Sequence, residues 1–223
     1  MMWADEPVVS VVVPALDEAR YISRTLSSLS AQETAVPFEV IVVDGGSTDG
    51  TRDVAREYGV EVVDQSGTGI GQGRHEGSQK ASGEWLAFVD ADTRVLDSHV
   101  DGMLGFVREH DLAAASSRCR VIDATRGKAK QVVVNRVFPQ LPRPILPGFN
   151  FFVDAQIYEQ TGGFPDVPNE DTAYSRQLAT EHRTAYHPDV LVETSGRRFG
   201  SDGLTGALYH YVRLDVARVR ADY

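Results

Sequence analysis

The segment FVDADT, Phe88 to Thr93, sets two aspartates one residue apart at the end of the apolar run WLAFV. On a straight strand, residues i and i+2 face one side with carboxylates roughly 6 to 7 Å apart, too far to share one ion. A turn at Ala91 lets one carboxylate reach a divalent cation, while the other reaches it through water or holds a nearby hydroxyl. Magnesium and manganese take oxygen ligands and keep one or two carboxylates plus substrate phosphates, so a short acidic motif suffices when a diphosphate completes the shell. A solvated turn is the alternative that the spacing alone leaves open.

Other acids point the same way. Asp44 ends the run EVIVVD, and Glu18 lies in the loop Pro14-Ala15-Leu16-Asp17-Glu18 that leaves VVSVVVP. Acids supplied by separate strand ends to one sheet edge, as Asp44, Asp90 and Asp92 are here, exceed what packing requires. Asn169-Glu170-Asp171 follows Gly162-Gly163-Phe164 and precedes Arg176. A carboxylate near a helix start is stabilised by the helix dipole. It can equally be a general base held against a substrate hydroxyl.

The glycine-rich stretch SGTGIGQGRHEG carries Gly67, Gly69, Gly71 and Gly73 at every second position. No frame gives G-x-G-x-x-G and no G-K-[ST] follows, so dinucleotide and Walker-type readings fail on spacing. Two readings remain: a flexible turn, or a backbone close to a ligand with Arg74 beyond it near a helix start, where an arginine can meet a diphosphate.

These residues need elements to position them, and β-branched runs alternating with amphipathic stretches predict strands crossed over by helices. Strands are expected at Val8–Pro14, Glu39–Asp44, Val60–Asp64 and Trp85–Asp90. Asp17 is placed to cap a helix with the stripe Ile22, Leu26 and Leu29. A second helix runs through Val54, Ala55 and Tyr58 to a stop at Gly59, and a third reaches about Ala81. In such an α/β unit ligands collect at the carboxyl ends of the strands. Beyond about residue 97 the alternation weakens: a helix from Ser98 to about His110, a strand in LAAASSRCRVI, a proline-broken apolar segment, and a strand near Val190–Glu193.

With 223 residues the chain is most simply one domain, 1–223. A net charge of −10 excludes a nucleic-acid backbone as partner, because that needs a basic face. Lysine occurs only at 80, 128 and 130, and this arginine bias fits a high-salt source or a high-GC genome. The single cysteine, Cys119, allows neither an internal disulfide nor a multi-cysteine metal site. The start MMWADEPVVS has no signal-peptide character and no window reaches the roughly 18 apolar residues of a membrane span, so a cytoplasmic protein is expected, with attachment at the inner face of a membrane as an option.

Taken together and in order, VVVPALDEARYISRTLSSL, EVIVVDGGSTDGT, GQGRHEGSQKASGEWLAFVDADT and GGFPDVPNEDTAYSRQL resemble the family 2 glycosyltransferases of GT-A fold, over about Val8 to Val192. The resemblance implies a Rossmann-like, mostly parallel central sheet flanked by helices, with a nucleotide-sugar-binding half at about 8–97 and a smaller acceptor-side half at about 98–223. It implies that Pro14, Ala15, Glu18, Asp44 and Ser47 contact the base and ribose of a nucleotide sugar; Leu16, Gly46 and Ala91 lie between matched positions and are counted with them. Arg74 matches a basic residue near the diphosphate. Asp90 and Asp92 match the D-x-D element, with Asp92 the direct contact to Mg2+ or Mn2+. Asp171 matches the catalytic base of the E-D motif, beside Glu170.

Two departures bear on this. His75 stands where the family often has asparagine, and Arg197-Arg198-Phe199 is similar to a late R-W type motif but lacks the tryptophan. That segment is a phosphate clamp or a surface turn.

Inverting single displacement follows from the resemblance, from a nucleotide-sugar donor to a saccharide or polyprenyl-lipid acceptor. Phe138–Phe149, with four prolines, lines a groove for a lipid-linked acceptor or packs on the core. The stretch Leu204–Val219 is a core-packing helix, or else a homodimer contact or a peripheral membrane helix. A sugar-1-phosphate nucleotidyltransferase is the rival enzyme, but its first loop should be rich in glycine and arginine, whereas PALDEA is acidic and free of glycine. A non-catalytic nucleotide-sugar-binding homologue is the other rival, and the retained Asp90, Asp92 and Asp171 argue against it.

Overall fold

The computed structural model describes residues 3, 6–122 and 127–197. Arg198, Phe199 and the terminal stretch Leu204–Val219 lie outside the described residues. The first half is built as expected: strands β1 (Val9–Ala15), β2 (Phe38–Asp44), β3 (Glu61–Asp64) and β4 (Trp85–Val89) alternate with helices α1 (Ala19–Ser30), α2 (Thr51–Glu57) and α3 (Ile70–Lys80). The second half adds β5 (Thr93–Val95), α4 (His99–Glu109), β6 (Ala114–Val121), α5 (Gly127–Val132), β7 (Asn150–Asp154), α6 (Ala155–Gln160), α7 (Glu170–Glu181) and β8 (Thr184–Thr194). A π-helical turn, Val133–Val137, and a 3-10 turn, Phe138–Gln140, follow α5.

One eight-stranded sheet runs in the order β3-β2-β1-β4-β7-β6-β8-β5. The first four strands are parallel, β7 is antiparallel to both β4 and β6, β8 is parallel to β6, and β5 is antiparallel to β8. Only β7 and β5 therefore oppose the common direction, in keeping with the mostly parallel sheet. The carboxyl ends of β1, β2, β4, β6 and β8 share one edge.

The sheet is buried on both faces, which explains why β1 reads as a continuous apolar run instead of an alternating one. Val9, Val11 and Val13 enter one core cluster and Val12 the other. Helix α3 lies so close to β1 that a Cβ at Gly77 would stand 2.3 Å from Val12 Cγ1 and 2.9 Å from Val43 Cγ2. This corrects the reading of the glycine-rich stretch as a loop. Helix begins at Ile70, so Gly71, Gly73 and Gly77 are helical, and Gly77 is there for close packing.

Two other points differ from expectation. Asp17 does not cap α1: its φ is +53° and its Oδ1 accepts from the Thr48 amide at 2.8 Å. The helix start is instead served across the chain, by Thr51 Oγ1 for Glu18 N–H and Asp49 Oδ2 for Ala19 N–H. The short β5 escaped prediction because three residues carry no period. In Phe138–Phe149 the apolar side chains of Phe138, Ile145, Leu146 and Phe149 are buried, so they pack on the core, the second of the two readings of this segment.

Behind the sheet edge, His99 is buried and its Nε2 meets Asn150 Oδ1 at 3.1 Å, while Asn150 Nδ2 donates to Ser117 Oγ at 2.8 Å. With Asn150 Oδ1 as acceptor, Nε2 carries the proton and the ring is neutral. Burial, reinforced by His187 and opposed by the Asn150 bond, pushes the His99 pKa down to about 4. A depressed folded pKa favours the neutral ring, so this contribution is complete above the ordinary value near 6.5 and is lost as pH falls through about 4. Urea unfolding from pH 7 to pH 4 should show a loss of roughly 3 kcal/mol from this group, and His99→Gln should flatten that part of the profile. An unchanged slope in the variant removes His99 as the cause.

Candidate active site

The first wall of the site is where β1 and β2 end. Asp44 closes β2; its Oδ2 accepts from the Gly46 and Ser47 amides, both at 3.1 Å, and stands 3.7 Å from Arg52 Nε. Its Oδ1 is buried and accepts no hydrogen bond among the described residues. Ser47 Oγ accepts from Asp17 N–H at 2.9 Å, which ties the two loops together. Beside them a cavity of about 380 Å3 is lined by Pro14, Ala15, Leu16, Gly45, Gln65, Gly67, Thr68, Gly69 and Ile70. Leu16 is an exposed large apolar side chain in its wall.

The second wall is the acidic turn after β4. The chain does turn at Ala91: Thr93 N–H returns to Asp90 C=O at 2.9 Å, and Ala91 C=O accepts from Thr25 Oγ1 of α1 at 2.7 Å. Ala91 is thus buried and engaged by α1. Asp92 Oδ2 accepts from Arg197 Nε at 3.0 Å, and Arg197 Nη2 also binds the buried carboxylate of Glu18. The same guanidinium lies 4.1 Å above the ring of Tyr21. Burial works to lower the Arg197 pKa, but Glu18 and Asp92 outweigh it and the net shift is upward.

The third component joins the two halves. Arg74, in the second turn of α3, is 2 % exposed and donates to Asp90 Oδ1 at 2.9 Å and to Glu170 Oε1 at 2.5 Å. Its guanidinium also sits 5.2 Å from the centre of the Phe164 ring. Burial acts to lower its pKa, yet Asp90, Glu170 and Asp171 raise it on balance. Glu170 is pushed up, mainly by burial and further by Asp171, against the pull of Arg74. Asp171, in the first turn of α7, accepts from Gly148 N–H at 3.0 Å and from its neighbour Thr172 N–H at 2.6 Å. Two of the Arg74 guanidinium nitrogens thus face carboxylates from two separate elements. His75, next in sequence, points away, into the wall of a separate 740 Å3 cavity with Ser78, Trp85, Asp154 and Tyr158.

A divalent cation fits this chemistry. Glu18, Asp90, Asp92, Glu170 and Asp171 set five carboxylates against the guanidiniums of Arg74 and Arg197. A diphosphate entering such a site adds negative charge to an excess of negative charge. The oxygen-only donors suit a hard cation, and no group of three His, Cys, Asp or Glu forms a complete cage among the described residues.

Comparison with known proteins decides the lineage. The model of the family described as "Glycosyl transferase family 2" matches residues 10–164, well over half of the chain. The chain belongs to glycosyltransferase family 2. Glycosyltransferase AglE of Haloferax volcanii is 34% identical over 209 residues, 87% of this chain and 69% of that one. The putative glycosyltransferase EpsH of Bacillus subtilis is 27% identical over 188 residues, 82% of this chain and 51% of the relative. The validoxylamine A glucosyltransferase of Streptomyces hygroscopicus subsp. jinggangensis is 39% identical over 105 residues, covering 44% of this chain and 25% of its own length. The chain thus spans a quarter to about half of these last two relatives.

Among solved structures, S. aureus TarS 1-349 in complex with UDP-GlcNAc superposes with TM-score 0.72 at 21% identity, over 88% of this chain and 60% of that one. The mannosyltransferase PcManGT of Pyrobaculum calidifontis, in complex with GDP-Man and Mn2+, gives TM-score 0.71 at 22% identity, over 96% and 65%. The family 2 enzyme therefore has the GT-A fold.

Within this family 2 chain, sequence reasoning missed Gln65, Thr68 and Ile70 as cavity residues. Gln65 directly follows the end of β3, so the strand-end rule that found Asp44 could have found it. Gly148 was missed too. A Cβ there would lie 2.5 Å from both Arg74 Nη atoms, and its amide holds Asp171. Gly148→Ala should displace the guanidinium and cost about 1–3 kcal/mol in urea unfolding, as overpacking of a closed interior does. Wild-type stability in that variant would show that the clamp is loose.

Proposed function

We propose that this enzyme is a metal-dependent inverting glycosyltransferase that moves a sugar from a nucleoside-diphosphate sugar to an acceptor hydroxyl or lipid phosphate. One observation carries the reading: Arg74 draws the acidic turn of Asp90 and Asp92 against the head of α7, so a cation-side acid and a base-side acid share one site. Binding of UDP-GlcNAc by one structural relative, and of GDP-Man with Mn2+ by another, supports a nucleotide-sugar donor and a divalent cation.

The roles follow from the contacts. The buried Oδ1 of Asp44 needs a hydrogen-bond donor, and a nucleobase N–H seated in the cavity lined by Pro14, Ala15 and Leu16 supplies one. Glu18, Gly46 and Ser47 complete the ribose side. Asp90 holds a donor hydroxyl while giving its other oxygen to Arg74. Asp92 would hold a divalent cation, which would supply Lewis-acid stabilisation of the leaving diphosphate. Arg197, paired with Asp92 and Glu18, would be free to turn to the phosphates if a cation took its place at Asp92, and Arg198 is assigned to the same phosphate clamp by its position in sequence. Arg74 works through the acids it positions.

Asp171 takes the proton from the acceptor hydroxyl as the oxygen attacks the anomeric carbon from the face opposite the diphosphate. The glycosidic C–O bond forms as the bond to the diphosphate breaks, with inversion and no covalent enzyme intermediate. Gly148 N–H fixes the carboxylate during this step, and Glu170, anchored by Arg74, fixes the helix end that carries it. The acceptor is a saccharide or polyprenyl lipid, and the setting is the cytoplasm or the inner face of a membrane. Among the described residues no helix is long and apolar enough to cross a membrane.

Asp171→Asn should retain nucleotide binding while transfer drops by about 10² to 10⁴-fold, the scale of general-base catalysis. Asp92→Ala should lose the metal-dependent part of nucleotide binding. A thermal-shift panel of UDP, GDP and their sugars with Mg2+ or Mn2+, followed by transfer assays on the stabilising donor, checks both. Wild-type turnover by Asp171→Asn refutes the base assignment, and metal-independent stabilisation by every nucleotide refutes the cation role.

A further inference from the structure

Three arginines converge on one carboxylate at the end of the same sheet edge. Glu193 of β8 has Arg94 of β5 and Arg120 of β6 as its register partners on either side. Arg94 Nη1 lies 3.1 Å from Glu193 Oε2 and Arg120 Nη1 lies 3.0 Å from Oε1, while Arg24 Nη2 reaches over from α1 to 3.5 Å from Oε2. Among the described residues, Glu193 is the ion-pair partner of all three and no other acid pairs with them. The Glu193 side chain is only 11% exposed, whereas those of Arg24, Arg94 and Arg120 are 55%, 37% and 59% exposed. The carboxylate is covered and the guanidiniums face outward.

A tie between strands does not need this arrangement. One arginine per carboxylate would join β8 to either neighbour, and each added guanidinium brings repulsion. Three against one leaves a local charge of plus two on a chain whose total is −10. Each guanidinium has five N–H donors, and the two oxygens of one carboxylate engage few of the fifteen.

The row adjoins the transfer site without belonging to it. Arg94 is two residues beyond Asp92, so their Cα atoms are roughly 6 to 7 Å apart along the chain. Arg24 is one helical turn beyond Tyr21, the ring beneath Arg197. Arg197 itself follows Glu193 by four residues.

We propose that Arg24, Arg94 and Arg120 form a phosphate site for the acceptor, seating an anionic phosphate next to the point of sugar transfer. The proposal rests on the transferase reading above. A phosphate monoester carries close to two negative charges at neutral pH and several acceptor oxygens, which matches the excess of two and the outward fan of guanidiniums; a carboxylate supplies only one charge. Glu193 holds the three arginines in place before the phosphate arrives. The phosphate is that of a soluble phosphorylated saccharide or of a polyprenyl-phosphate lipid, and the two sources share this chemistry.

The test uses inorganic phosphate, titrated by calorimetry into the full chain, the double variant R94Q/R120Q and the single variant R24Q, each with and without nucleoside diphosphate and Mg2+. Circular dichroism confirms folding, and R24Q, on a helix surface, keeps the test readable if the double variant is unstable. We expect phosphate affinity to fall by about tenfold or more in R94Q/R120Q and less in R24Q, with nucleotide binding unchanged. Sedimentation with phosphatidylcholine vesicles, with and without polyprenyl phosphate, assigns the source: arginine-dependent binding only to the doped vesicles supports the lipid, and arginine-dependent binding of free phosphate alone supports the soluble acceptor. Equal phosphate affinity in wild type and variants overturns the proposal, as does wild type binding neither probe. A parallel loss of nucleotide binding also overturns it, because the row would then serve the donor. If wild type binds no nucleotide, the transferase reading fails while the phosphate comparison still stands by itself.

Discussion

A buried guanidinium without an acid beside it costs several kcal/mol, so Arg74 dictates much of what surrounds it. It is nearly sealed from water, and Asp90 and Glu170 are the acids that make its burial tolerable. Those acids come from the turn after β4 and the head of α7, 16 and 96 residues along the chain from Arg74. To satisfy one charge, the chain must bring the turn after β4 and the head of α7 into contact, and the candidate site forms where they meet. Gly148 belongs to the same constraint, since only a residue without a side chain leaves room for the guanidinium.

Charge balance then explains the chemistry. Three carboxylates surround Arg74, and two more, Glu18 and Asp92, hold Arg197. Five carboxylates thus face two guanidiniums, and the site carries a surplus of negative charge. Burial raises the pKa of Glu170 by stripping water from its charged form, and the neighbouring Asp171 adds to the rise against the pull of Arg74. Along the edge toward β8 the balance flips, with three arginines around Glu193. One sheet edge thus carries an acidic centre and an arginine-rich flank.

Much of the first half was legible in the sequence, since buried parallel strands write themselves as continuous β-branched runs and their ends mark where ligands collect. Asp44, Asp90 and Asp92 were found this way, and the turn at Ala91 is the bend that the two aspartates required. What could not be read was the destination of side chains across long separations. Nothing near Arg74 in sequence announces Glu170, 96 residues away, as its partner. The glycines misled for a related reason: Gly77 answers Val12 on another element, a close approach invisible to local pattern. The run FFVD in β7 gives no sign of its antiparallel direction, because an apolar strand buried on both faces reads the same either way.

The central claim is that the Arg74–Glu170 contact couples the two halves of the site, and a double-mutant cycle of R74M, E170Q and R74M/E170Q tests it most directly. Unfolding free energy and nucleotide affinity should be measured for all four proteins. The account predicts an interaction energy of about 1–3 kcal/mol in stability, with the double variant less impaired than the two single losses added together. Strictly additive losses would contradict it, because Arg74 and Glu170 would then act independently.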